Sequence, residues 1–109
     1  MVYRNKGKFV LEKQCLQSIV NDILELPNNE DVKIVIEESP HKYSKSLYVK
    51  FYIGDYSTVL RISDHDCKTE VRQVIVTEST GIANIYYKID RAIKDLRFKR
   101  LLGLLNKGA

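Results

Sequence analysis

The run Arg61-Ile62-Ser63-Asp64-His65-Asp66-Cys67 concentrates the side chains of this chain that could do chemistry. A histidine beside a carboxylate can move a proton, and a nearby arginine can stabilise a developing negative charge. In a small ribonuclease, His65 would act as general base or acid, Arg61 would hold a pentavalent phosphate and Asp64 would orient the imidazole. Metal-free cleavage normally needs a second proton-transfer group, and the other histidine of the chain, His41, lies in a polar loop. Asp64, His65, Asp66 and Cys67 could each ligate zinc, but adjacent residues rarely converge on one tetrahedral ion and no second ligand pair follows. The run reads better as the end of a strand. Asp64 would make an Asx turn, His65 would bond a nearby carbonyl, and Ser63 would satisfy a strand-end donor. Arg61 and His65 would then be aimed at one edge of an exposed face. No catalytic residue, metal or cofactor is expected.

The elements that must position this run follow from periodicity. Apolar residues at 3.6-residue spacing, Phe9, Cys15, Leu16, Ile19, Val20, Ile23 and Leu26, predict a first helix over 9–26, ended by Pro27-Asn28-Asn29. Residues 31–38 alternate as a strand. After a polar loop over 39–46, residues 47–53 and 57–63 alternate on either side of Gly54-Asp55, which predicts a two-residue hairpin. Pairing Ile53 with Tyr56 sets Phe51 against Thr58, Val49 against Leu60 and Leu47 against Ile62 on the core face. It sets Tyr52 against Ser57, Lys50 against Val59, Tyr48 against Arg61 and Ser46 against Ser63 on the other. Residues 71–77 predict a fourth strand. Ser79 or Thr80 would cap a second helix that starts near Gly81 and carries Ile82, Ile85, Ile89, Ala92, Ile93 and Leu96, with the stripe continuing through Leu101 and Leu104 past a weak point at Gly103. The order α-β-β-β-β-α implies an α+β domain over 9–109, a four-stranded antiparallel sheet with both helices on one face, preceded by a flexible basic N-terminus over 1–8.

One helix layer leaves the other face of the sheet open. That face would carry Tyr48, Lys50, Tyr52, Arg61 and Ser63, with Asp64 and His65 at its edge. Aromatic rings interleaved with cations suit nucleic acid, because rings stack on bases and cations meet phosphates. The same set would serve an acidic protein groove, or be a solvated sheet face with a Tyr48–Arg61 stacking pair. The second helix has a basic back, Lys88, Arg91 and Lys94, followed by Arg97, Lys99 and Arg100. This densest basic run could track a phosphate backbone. It could equally be a solvated face with cations near a helix C-terminus.

A length of 109 residues suits one domain able to bury a core without disulfides or metal. The 18 Lys and Arg against 14 Asp and Glu, a formal charge of +4, favour an anionic partner. Residues 1–26 lack the continuous apolar run of a signal peptide, and no segment is apolar enough to span a bilayer. The expectation is a cytoplasmic protein with reduced thiols and no membrane partner. Cys15, on the apolar stripe, is expected to be buried.

Ser44, Ser46 and Tyr48, followed by the strand ending Arg61-Ile62-Ser63-Asp64-His65, form a pattern that resembles small proteins of phages and mobile elements of Gram-positive bacteria. Among these are anti-CRISPR proteins of streptococcal phages that inhibit type II effector nucleases. The likeness runs from about Ser44 to Arg100 and includes a Val/Ile-rich strand and the Lys88-Ile89-Asp90 of an amphipathic helix. It departs at the N-terminus, where the anti-CRISPR carries a long basic arm and this chain has about eight residues before its first helix. The resemblance implies a non-metabolic, phage-type inhibitor. It would bind a type II CRISPR effector nuclease or its guide RNA through Tyr48, Lys50, Arg61, His65 and the basic helix. A general nucleic-acid-binding accessory protein of a mobile element is the alternative.

Overall fold

The computed structural model describes residues 7–39 and 45–107. The elements are α1 (Lys13–Leu24), β1 (Val32–Glu38), β2 (Ser46–Ile53), β3 (Tyr56–Ser63), β4 (Arg72–Ile75) and α2 (Ile82–Lys107). The α+β class and the element order are those expected. The sheet runs β1-β2-β3-β4. β1 pairs with β2, and β2 with β3, antiparallel in a meander. The β2–β3 register is the expected one at every position, from Ile53 opposite Tyr56 to Ser46 opposite Ser63. Gly54 makes the turn possible: it sits at φ 59, a left-handed conformation that carries a penalty for any residue with a Cβ.

One topological expectation is corrected. β4 runs parallel to β3, with Leu60 to Ser63 opposite Arg72 to Ile75, so the sheet is mixed rather than antiparallel. The connection over 64–71 does not fold back as a hairpin. It carries the chain back so that β4 runs in the same direction as β3. β4 is also shorter than the expected 71–77. Beyond Ile75 the Val76 amide still donates to the Ser63 carbonyl, and then the side chains of Thr77, Ser79 and Thr80 bond one another in a tight turn.

The core lies between one sheet face and the two helices. Val49, Phe51, Leu60 and Ile62 meet Leu16, Ile19, Val20 and Ile23 of α1 and Ile85, Ile89, Ile93 and Leu96 of α2. α1 is shorter than the expected 9–26. Phe9 is buried, but its amide bonds the Thr80 carbonyl, which holds that residue extended and delays the helix to Lys13. Gly7 and Lys8 are tied to the start of α2 in the same way: the Ile82 amide donates to the Gly7 carbonyl, and Lys8 forms a bridge with Gly81. Residues 1–6 of the basic N-terminus lie outside the described residues. At the other end of α1, Asn28 takes φ 78 and the buried Asn29 amide caps the Ile23 carbonyl at 2.8 Å. Gly81, rather than Ser79 or Thr80, provides the first acceptor of α2, through its carbonyl to Asn84 and Ile85. Cys15 is partly buried and packs on the core.

α2 is 26 residues long, roughly 39 Å at the ordinary helical rise. Its core-facing stripe ends at Leu96. Leu101 and Leu104, expected to continue it, are exposed. The helix is not interrupted at Gly103. The phenol of Tyr56 lies across the helix there, and a Cβ on residue 103 would stand 1.9 Å from the Tyr56 oxygen. Gly103→Ala should therefore reverse its usual helix benefit of about 1 kcal/mol and destabilise the fold. A double-mutant cycle with Tyr56→Leu tests it: removal of the phenol should restore the benefit, and simple additivity of the two changes would disprove the contact.

Candidate binding surface

The side chain that organises the 61–73 region is Arg61. By register it belongs to the sheet face away from the helices, and there it is 2% exposed. The expectation of an exposed Arg61 is thus overturned, although the strand register is right. The chain covers it. Nη2 donates to Ser46 Oγ at 2.8 Å, from the neighbouring strand β2. Nη1 donates to Gln73 Oε1 at 2.7 Å, from β4. Nη1 also reaches the His65 carbonyl at 3.4 Å, and Nη2 stands 3.3 Å from His65 Nε2. One guanidinium therefore clasps β2, β4 and the crossover. Its Nε is buried without a partner among the described residues. Every acceptor is neutral, so the charge is stabilised by dipoles and not by a carboxylate.

The crossover is held by a second layer of bonds. Ser63 is fully buried, and its hydroxyl donates to the His65 carbonyl at 2.6 Å. It is a structural residue and not part of an open face. Gln73 Nε2 donates to Asp66 Oδ1 at 3.0 Å and to the Cys67 carbonyl at 2.8 Å. The carboxylate that takes up a backbone amide is that of Asp66, to the Cys67 amide at 2.8 Å. Asp64 instead bonds His65 Nδ1 at 2.7 Å. Arginine can only donate, so His65 Nε2 must accept from it, and the ring proton sits on Nδ1, directed at Asp64. The hydrogen bond from His65 holds the Asp64 carboxyl below its ordinary value. Both ring nitrogens thus have partners inside the protein, while the side chain is 42% exposed.

The rest of the outer sheet face carries Lys33 of β1, exposed opposite Tyr52, and a cross-strand ion pair. Lys50 pairs with Glu37 of β1 at 2.9 Å. Tyr48, opposite Arg61, is half-buried, while Tyr52 is 36% exposed. α2 packs on the other face of the sheet. The expected surface is therefore two surfaces on opposite sides of a two-layer sandwich: Tyr48, Lys50 and Tyr52 on one, the back of α2 on the other.

On α2, several cations are committed. Arg97 places both terminal nitrogens 2.9 Å from the Asp31 carboxylate, bonds Asn29 Oδ1 and also bonds the Asn28 carbonyl. It fastens the α1–β1 turn to α2. Lys94 pairs with Asp90 at 3.0 Å, and Arg91 lies 3.3 Å from Asp95 and 3.4 Å from the Tyr87 hydroxyl. Asp95 also takes Arg72 of β4 at 2.8 Å. Lys88, Lys99 and Arg100 are exposed and, among the described residues, join no ion pair. Lys99 leans toward the Ser57 carbonyl at 3.5 Å, and Arg100 lies beside the Gly54 turn. A shallow depression between β4 and α2 is lined by Leu60, Arg72, Tyr87, Lys88, Arg91 and Asp95. No group of metal-ligating side chains occurs among the described residues.

Sequence reasoning missed Ser46 and Gln73 as partners of Arg61, because nothing local marks a serine 15 residues earlier or a glutamine 12 residues later. It also missed the exposed apolar residues of α2. The chain matches no protein-family model, no curated protein and no solved structure. No helix among the described residues is long and apolar enough to cross a membrane.

Arg61→Ala should cost about 2–4 kcal/mol, since it strips Ser46 Oγ, Gln73 Oε1 and two His65 acceptors of their donor in a covered site. Urea unfolding checks this: a change below about half a kcal/mol would place Arg61 at an ordinary surface. Acid stability follows Asp31 and Asp95, both held below the ordinary value of 3.8, by the hydrogen bonds from Arg97 and Arg72 respectively. A lowered carboxyl contributes stability that is fully present above 3.8 and is lost as the pH falls through the lower folded value. Asp31→Asn should therefore weaken the fold at neutral pH and flatten its loss of stability in acid. An acid limb as steep as that of the unaltered chain would show that the Arg97 pair contributes nothing.

Proposed function

We propose that the chain is a non-catalytic binding protein that meets an anionic partner through α2, and that it acts as a phage-type inhibitor of a type II RNA-guided effector nuclease. The observation that carries the binding mode is the set of exposed cations Lys88, Lys99 and Arg100 along one helix, which join no ion pair among the described residues, with Tyr87 exposed beside Lys88. Cations without carboxylate partners are free to displace counterions from a phosphate backbone, and an exposed tyrosine offers a stacking face. An inhibitor that imitated DNA would be acidic. This chain is basic, which favours contact with the guide RNA held by the effector or with an acidic patch of the effector itself.

The specific target rests on the resemblance of Ser44 to Arg100 to anti-CRISPR proteins. Arg61 does not offer the contact first expected of it. It and His65 build the crossover that fixes β4, and the recognition role passes to α2. The accessory nucleic-acid-binding role uses the same cations and differs only in target. A ribonuclease centred on His65 is less well supported, because Arg61 and Asp64 occupy both ring nitrogens.

Fluorescence anisotropy with labelled guide RNA, with and without the effector, tests the proposal beside a DNA-cleavage assay. Three phosphate contacts should weaken RNA binding roughly 20- to 40-fold between about 50 and 200 mM salt. The triple change Lys88→Glu, Lys99→Glu, Arg100→Glu should abolish both binding and inhibition and leave the melting temperature unchanged. Inhibition that survives the triple change would move the contact elsewhere. RNA binding without inhibition of any type II effector would select the accessory role. The absence of both would sink the proposal.

A further inference from the structure

β1 ends the sheet on one side. It pairs with β2, and no strand lies along its other edge among the described residues. The ladder decides which of its backbone groups are open. In the register of β1 with β2, Ser39 falls opposite Ser46, and its amide donates to the Ser46 carbonyl. The odd-numbered residues Lys33, Val35 and Glu37 therefore direct their amides and carbonyls at β2, and the even-numbered Val32, Ile34, Ile36 and Glu38 direct theirs outward. The Val32 amide is taken by the Asn29 carbonyl. The amides of Ile34, Ile36 and Glu38 have no partner among the described residues. A seven-residue strand rich in Val and Ile, with such a row of open groups, is a template for another strand. β4, at the opposite edge, is only four residues long and offers a much shorter ladder.

We infer that the β1 edge takes the β1 strand of a second copy of the chain, antiparallel and related by a two-fold axis at Val35, so that two sheets join into one. The inference uses none of the α2 cations and stands independently of the nucleic-acid reading. Charge complementarity selects both the occupant and the register. Outward-facing residues must meet outward-facing residues, so the possible two-fold registers differ in whether Ile34, Val35 or Ile36 lies at the centre. Centring on Val35 sets Ile34 against the partner's Ile36 in a hydrogen-bonded pair. It sets Lys33 against the partner's Glu37 in a non-hydrogen-bonded pair, where side chains stand closest, and symmetry repeats this ion pair. Centring on Ile34 would bring Asp31 toward Glu37 and Glu30 toward Glu38, like charge against like. Centring on Ile36 would set Val35 against Glu37 and Ile34 against Glu38, apolar against charged. Both partners of the favoured pair are available. Lys33 is exposed and joins no ion pair among the described residues. Glu37 is exposed and holds Lys50 at 2.9 Å through Oε1, so the partner's Lys33 can approach from its open side. The half-buried Ile34 and Val35 gain apolar neighbours in the same step. One strand pair is a small interface beside the roughly 1,000 Å² of a stable complex, so association belongs at roughly tens to hundreds of micromolar.

Sedimentation equilibrium of the full chain from about 10 to 500 µM is the test. The mass should rise from 12.7 kDa toward twice that value. Lys33→Glu alone and Glu37→Lys alone should each hold the chain at the monomer mass, because each change sets like charges against one another twice across the edge. An equimolar mixture of the two variants should recover the dimer, since every facing pair is again opposite in sign. Both positions are exposed, so circular dichroism and melting temperature should stay those of the unaltered chain. Hydrogen exchange on the unaltered chain reads the same edge without any substitution. The amides of Ile34, Ile36 and Glu38 should exchange more slowly as concentration rises, and those of Lys33, Val35 and Glu37, already bonded to β2, should not change. Four outcomes would overturn the inference: a monomer mass at 500 µM, which would leave the edge to an extended segment of another protein; a dimer that both single changes leave intact; a mixture that stays monomeric; or concentration-dependent protection confined to α2.

Discussion

A single buried guanidinium determines how the second half of the sheet is built. Arg61 lies on the sheet face opposite the helices, which would ordinarily be open to water. The crossover after β3 covers it, and its hydrogen bonds to Ser46, Gln73 and His65 join the strand on either side to the loop between them. Without those donors the loop would offer only polar backbone to the sheet, and β4, four residues long, would have little reason to dock in parallel. The arrangement differs from a buried salt bridge. It needs no carboxylate partner, so no second ion has to be desolvated, and the guanidinium's planar fork supplies several donors at once. Within the run that suggested proton chemistry, each of Arg61, Ser63, Asp64, His65 and Asp66 has a partner in the crossover.

Once Arg61 is internal, the surface divides cleanly. The outer sheet face keeps a cross-strand ion pair and two tyrosines. On α2, Lys88, Lys99 and Arg100 join no ion pair among the described residues. Within α2 the work is divided again along its length. The first half contributes Ile85, Ile89 and Ile93 to the core and presents Tyr87 and Lys88 outward. At its middle, Arg97 holds the α1–β1 turn through Asp31 and Asn29. Past Leu96 the helix keeps contact with the domain through Gly103 and Tyr56, while its other side is apolar and open. One helix thus carries core, tether, cations and apolar stripe in sequence.

The parts of this fold that were legible in the sequence are those fixed by neighbours in the chain. Two alternating runs around Gly54-Asp55 leave one sensible register, since a shift by one residue would move Leu60 and Ile62 to the wrong face. The parts that were not legible depend on distant residues. Alternation placed Arg61 on the outer face correctly, but it carries no information about a loop that later covers that face. A four-residue strand has too short a pattern to show its direction, and parallel pairing across an eight-residue connection is not the ordinary case. Phe9 looked helical by spacing and was held extended by the Thr80 carbonyl. Leu101 and Leu104 continued an apolar helix, yet periodicity reports only that a face is apolar, not what lies against it. Arg97, read as a phosphate contact from its basic neighbours, could not be recognised as a tether without Asp31 brought beside it.

The order of strand pairing also has a consequence for how the chain reaches this structure. β1, β2 and β3 join through neighbouring segments, so their contacts close small loops at little entropic cost. The parallel strand and the Gly7–Phe9 segment are different. The latter is bonded to residues more than 70 positions away, and the Arg61 clasp requires β2, the crossover and β4 together. The three-stranded meander is therefore the part whose contacts cost least to close, and the clasp cannot form before β2, the crossover and β4 have met. Until that moment the β3 edge that β4 will cover offers unpaired amides and carbonyls to any passing strand. Weakening the Arg61 clasp should therefore expose a strand edge as well as lower stability.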